Sequence, residues 1–226
     1  MILALHCGRA MSLDGPTAYG SLCPDWLTGL ESAMTTTAER IRAVGLRLFA
    51  EQGYEATPLS MIAREVGIRT PSLYNHFASK EALFMALAEE VEADMLAHFS
   101  RSIERFPDRP VCERLYTLIV ETCDFIFQQH RGVFYKRFLL FPPPAVKDAL
   151  TAINHDSERY IDQLLHELFQ QGRRSGELGD IDERDFVSAL YCLIDGLFSE
   201  RFLYSREEFN RRLEGAWTIF RAGVSA

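Results

Sequence analysis

The feature that most constrains this chain is a local device used twice between residues 57 and 71. Thr57-Pro58 and Thr70-Pro71 each set a hydroxyl residue before a proline. Threonine is a good helix cap, and proline at the first helical position gives up only an N–H that has no intrahelical partner. The first device opens a short helix carrying Leu59, Ile62, Ala63 and Val66, which Gly67 stops; the second opens a helix reaching about Phe77. Two short helices joined by Gly67-Ile68-Arg69-Thr70 read as a helix-turn-helix over Thr57 to Phe77. In the second helix Leu73 and Phe77 stand at i and i+4, so they share the buried face. Thr70, Ser72, Tyr74, Asn75 and His76 are left facing outward or sideways. They are hydrogen-bonding and mostly uncharged, a set suited to base edges and phosphate oxygens.

Around this segment the fold class reads as all-α. Thr36 with Glu39 forms a capping box, Ile41, Val44, Leu48 and Phe49 follow at helical spacing, and Gly53 ends that helix. A further helix opens near Ser79 and Lys80 and runs to about 105, where Pro107 and Pro110 break it. Others cover about 111–129, 132–140 and 145–173, with Pro142-Pro143-Pro144 forcing an extended break. Asp180 with Glu183, and Ser205 with Glu208, open two last helices over about 182–204 and 206–222. Residues 1–33 show no sustained period and many glycines and prolines, and are expected to form a poorly ordered extension. The division is thus 1–33, a helix-turn-helix domain over 34–81, and a helical body over 82–226.

The net charge of −8 is unevenly distributed. Residues 35–81 hold six basic and five acidic side chains, whereas residues 82–226 hold 17 basic and 24 acidic. An acidic body with a near-neutral head suits a protein that meets phosphate at one end only. No run of about 18 apolar residues is present, so no membrane span is expected, and the start lacks the basic flank of a signal peptide, which points to the cytoplasm. Cys7, Cys23, Cys112, Cys123 and Cys192 include no C-x-x-C pair, so neither zinc nor a disulfide framework is implied, and the last three are expected to be buried thiols. Hydrolase, zinc-protease, P-loop and dinucleotide motifs are absent from the sequence. No enzyme activity, metal or cofactor is expected.

The stretch Ala43–Leu87, AVGLRLFAEQGYEATPLSMIAREVGIRTPSLYNHFASKEALFMAL, resembles the N-terminal domain of TetR-family (tetracycline-repressor-like) transcriptional regulators. LFAEQGYEAT, IAREVGI, SLYNHF and SKEALF carry the likeness. The resemblance implies a three-helix DNA-binding head, a larger all-helical ligand-binding and dimerisation body, and a homodimer that binds double-stranded operator DNA as a repressor. It places Thr70, Ser72, Tyr74 and Asn75 toward the major groove and Tyr74, His76 and Lys80 toward phosphate. Thr57 and Ser60 would present hydroxyl and N–H groups nearby, although a basic residue is frequent at the position of Ser60. Arg69, in the turn, is the nearest guanine-reading candidate.

The body is rich in aromatic residues, and a small apolar effector would find a pocket among them. Tyr116, Phe125, Phe134, Phe138, Tyr160 and Tyr191 are the expected lining. In the 182–204 helix, Phe186, Ala189, Leu190, Leu193 and Leu197 form one apolar stripe and Tyr191, Ile194 and Phe198 another. A helix apolar on two sides needs two partners. One of them can be the same helix of a second subunit, with Phe186, Leu190, Leu193, Leu197 and Trp217 in the interface. The 80–105 helix would act as the lever between effector and DNA. Two other readings stay open on sequence: a helix-turn-helix used only for protein contacts, and an enzyme with an unfamiliar site.

Overall fold

The computed structural model describes residues 36–126 and 130–226. The proposed extension over 1–33 and the end of the 111–129 helix lie outside the described residues. The elements are α1 (Thr37–Gln52), α2 (Leu59–Val66), α3 (Thr70–Tyr74), α4 (Lys80–Glu104), α5 (Val111–Ile126), α6 (Arg131–Leu140), a 3₁₀ turn (Pro144–Val146), α7 (Lys147–Ser175), α8 (Glu183–Leu203) and α9 (Arg206–Val224). Residues 37–226 form one compact unit. None of the described helices is long and apolar enough to cross a membrane.

Several helix starts differ from the sequence reading, each for a visible reason. Thr57 does not cap α2. Its side chain is 0% exposed, and its hydroxyl donates to the carbonyls of Gly53 at 2.8 Å and Leu48 at 3.3 Å. It ties the loop to the end of α1, and extended Pro58 precedes the first turn instead. Thr70 is likewise the first helical residue of α3, after extended Arg69. Asp180 is held by Arg173 at 2.9 Å, so Asp182 takes over the cap of α8 and accepts from the N–H groups of Arg184 and Asp185. Ser205 caps α9 as expected, accepting from Glu208 N–H.

Two large apolar cores and a small cluster of Met95, Phe125 and Phe198 organise the described residues. The first joins Ile41, Leu48 and Phe49 of α1, Ile62 of α2, Leu73 of α3 and Leu83, Phe84 and Leu87 of α4. It also takes in Phe134 and Phe138 of α6 and Leu150 of α7, so apolar packing runs across residue 81. The second core gathers Phe99 and Ile103 of α4 with residues of α5, α7, α8 and α9, among them Leu115, Leu165, Phe186, Leu190 and Trp217. Helix α4 serves both cores; with 25 residues it is about 37 Å long at 1.5 Å per residue. Cys123 is buried and its thiol is pushed up to about 12 by burial. Cys112 is half-buried, and Cys192, against expectation, is exposed on the outward side of α8. The chain end returns to the α7–α8 connection, where Gly179 N–H donates to Val224 O at 2.9 Å.

Candidate nucleic-acid interface

The turn between α2 and α3 is closed by the backbone itself. Gly67 adopts φ +78°, which an L side chain resists. Its N–H donates to Arg64 O at 3.2 Å and that of Ile68 to Ala63 O at 2.9 Å, the paired bonds of a Schellman ending. The Arg40 guanidinium donates to Val66 O from α1, fixing the end of α2 a second time. Helix α3 is shorter than expected, but the N–H groups of His76 and Phe77 both donate to Leu73 O, so the chain stays coiled as far as Phe77. Leu73 and Phe77 are buried as their spacing demands.

With that face anchored, the opposite face is presented to solvent. Ser72, Asn75 and His76 are exposed, Thr70 is half-exposed, and Tyr74 is 53% exposed. Ser60 and Arg69 are exposed beside them. So is Arg64, one turn after Ser60 on α2, which the sequence reading passed over; its i, i+4 relation to Ser60 was the available signal. Thr57 leaves the set, because both its hydroxyl and its N–H, which donates to Tyr54 O at 3.2 Å, are used internally.

Lys80 occupies the first turn of α4, whose N-terminus Ser79 caps by accepting from Ala82 N–H at 3.1 Å. Its ammonium lies 4.0 Å from the centre of the Tyr54 ring, and the Tyr54 hydroxyl donates to Glu81 Oε1 at 2.7 Å. That hydrogen bond holds the Glu81 carboxyl below the usual carboxylate range. Burial, followed by Glu81, pushes the Tyr54 hydroxyl upward. Lys80 is therefore oriented by an aromatic platform at the edge of the exposed face. Arg42 lies over the Phe77 ring, and Arg47 pairs with both Glu51 and Glu65.

A helix-turn-helix with a buried brace and an exposed polar face is a shape shared with known regulators. Residues 41–87 match the profile described as "Bacterial regulatory proteins, tetR family". Residues 41–87 carry the TetR-family signature. Among curated relatives, the nucleoid occlusion factor SlmA of Haemophilus influenzae is 26% identical over 154 residues, covering 67% of this chain and 68% of that one. The fold is shared with a TetR-family regulator from Rhodococcus RHA1 (TM-score 0.66, 22% identity, covering 85% of this chain and 100% of that chain). It is shared as well with the ketosteroid transcriptional regulator KstR2 of Mycobacterium tuberculosis (TM-score 0.65, 20% identity, 85% and 97%).

Beyond that segment, the six aromatic residues expected to line one pocket are dispersed. Phe134 and Phe138 belong to the head core, against Phe49 and Phe84. Phe125 stacks on His98 at 4.6 Å. Tyr116 pairs with Glu214 beside Trp217, in a cleft of about 280 Å³ that also contains Arg201 and Arg206. Tyr160 is exposed, its hydroxyl 2.6 Å from Ser100 Oγ. Tyr191 donates to Asp162 at 3.0 Å and lines a separate cleft of about 490 Å³. Helical spacing shows which aromatics share a face, not which neighbour that face meets.

The expected interface residues are corrected in the same way. Phe186, Leu190, Leu197 and Trp217 are buried inside the protomer and Leu193 packs against the same core, so this stripe is not free to meet a second subunit. The outward side of α8 instead carries exposed Ala189, Cys192, Gly196 and Ser199, and that of α9 carries exposed Gly215, Ile219 and Ala222.

Proposed function

We propose that this TetR-family transcriptional regulator is a homodimeric repressor that binds a palindromic operator and is released by a small, largely apolar effector. The observation that carries the DNA reading is the polar face of Ser60, Arg64, Arg69, Thr70, Ser72, Tyr74, Asn75, His76 and Lys80, held outward by buried Leu73 and Phe77. Residues 34–81 serve as the DNA-binding part and 82–226 as the effector and dimerisation part. The exposed small residues of α8 and α9, with Ile219 75% exposed, support a two-fold interface in which helix backbones approach closely. Both recognition helices then meet major grooves about 34 Å apart.

Effector and DNA communicate through two elements. Helix α4 begins at Lys80 and ends in the second core. Helix α6 sends Phe134 and Phe138 into the head, sets the Arg137 guanidinium against Gly53, and binds α4 through Arg131, which pairs with Glu90 and Asp94. A ligand that favours a different α4–α6 packing shifts the population away from the DNA-competent spacing. Fluorescence anisotropy on operator DNA tests the reading. Tyr74→Ala and Lys80→Ala should each weaken binding, and Lys80→Ala should lower the salt slope by about one phosphate contact. Unchanged affinity and slope in both variants would overturn it.

A further inference from the structure

Midway along α4, between Val91 of the first core and Met95, which packs with Phe125 and Phe198, one acidic side chain is buried. Glu92 is 3% exposed, and its Oε2 has no hydrogen-bond partner. Ser157 of α7 reaches the same carboxyl. The acidic neighbours on α4 are already matched, since Arg131 takes Asp94 and Glu90; among the described residues no cation pairs with Glu92. Burial holds this carboxyl above the usual range, and Glu158 adds to the shift. A lone buried carboxylate is costly, so its presence asks for a partner that completes it.

The surroundings specify that partner. Tyr135 of α6 packs with Met95, Phe125 and Phe198 and stands near Glu92, Glu158, Asp195 and Tyr191, which together with burial push its hydroxyl upward. Glu158 and Tyr191 also line the cleft of about 490 Å³ between α7 and α8, along with Asp162, Glu183 and Arg184. The cleft thus shares Glu158 with the surroundings of Glu92, and Glu158 and Tyr191 with those of Tyr135, and three carboxylates stand against one guanidinium in its walls. A positive group is already accepted next door. The Lys136 ammonium pairs with Asp195 and sits 4.8 Å from the centre of the Phe198 ring. An anion would meet carboxylates throughout, and a purely apolar molecule would leave Glu92 Oε2 unsatisfied.

We propose that the effector is an amphipathic organic cation, whose positive group is received by Glu92 and Glu158 and whose hydrocarbon part lies against Tyr135, Tyr191 and Phe198. The proposal rests on the effector-responsive reading above and names the chemistry of that effector. Aromatic faces attract a desolvated cation in addition to the carboxylates.

Calorimetry on the full chain tests it, with arylalkyl trimethylammonium ions of increasing chain length, each paired with its uncharged tert-butyl isostere. At least one cation should bind about tenfold more tightly than its isostere, and Glu92→Gln should remove that advantage while leaving the isostere's affinity in place. If Glu92→Gln does not fold, Glu158→Gln at the exposed rim should lower cation affinity about threefold. Binding of no cation, equal binding within every pair, or an advantage that survives these substitutions would overturn the proposal. The same ligands are then added to the operator complex. A cation that binds through Glu92 yet leaves DNA affinity unchanged upholds the site and refutes effector-controlled release. A neutral compound that releases DNA equally from the wild type and Glu92→Gln refutes the cation and upholds that reading.

Discussion

Thr57 shows how one side chain fixes the entry to the helix-turn-helix. Its hydroxyl serves two backbone carbonyls from a fully buried position, so Thr57→Val keeps the volume and loses the donor. A buried acceptor left unmatched costs about 1–3 kcal/mol. Urea unfolding should show a loss of this size for Thr57→Val and much less for Thr57→Ser, which keeps the donor. Tyr74 is the opposite case: exposed, with no core role, it should lose DNA affinity on replacement by alanine while the unfolding midpoint stays put. Both residues stood in the candidate DNA set on sequence, because a threonine before proline signals a cap whether or not its hydroxyl turns inward. Only the position of Gly53 and Leu48 in space decides that.

At the level of elements, most helices were legible from spacing and breakers: α1, α4, α6 and α9 begin and end within a residue or two of their signals. The neighbours of each face were not. The α6 aromatics read as pocket lining because they lie in the body by sequence, yet they complete the head core. Phe134→Ala should therefore cost about 3–5 kcal/mol and raise hydrogen exchange in α1 as well as in α6; exchange confined to α6 would contradict the packing. The centre of α4 makes a pH prediction. Burial raises the folded-state pKa of Glu92 above the ordinary carboxyl value of 4.5, so the native state holds its proton more tightly than the unfolded chain. The stability this contributes is present below about 4.5 and is lost as pH rises through the raised value. Glu92→Gln should thus stabilise the protein at neutral pH, and chemical denaturation should show that gain shrinking as the pH is lowered.

For the whole molecule, the charge pattern and the interface act together. With six basic against five acidic side chains over residues 35–81, affinity in the proposed dimer leans on two heads docking at once and on polar contacts. The apolar stripe visible in α8 was correctly periodic, but its side facing a second copy was misassigned, because a protomer core and a subunit interface draw on the same residue types. The outward stripe is built of small residues, which periodicity of large apolar groups does not reveal. Gly196→Arg, at an exposed position with open space around it, should leave the protomer folded, convert dimer to monomer in sedimentation, and weaken operator binding; a dimer unchanged by this substitution would place the interface elsewhere. Footprinting of the DNA flanking its own coding region tests most directly whether the α2–α3 face reads operator DNA. The expected result is a protected inverted repeat with half-sites about one helical turn apart, lost in Tyr74→Ala and fading with added salt. Absence of any protected repeat, or protection that persists unchanged in Tyr74→Ala and Lys80→Ala, would contradict it.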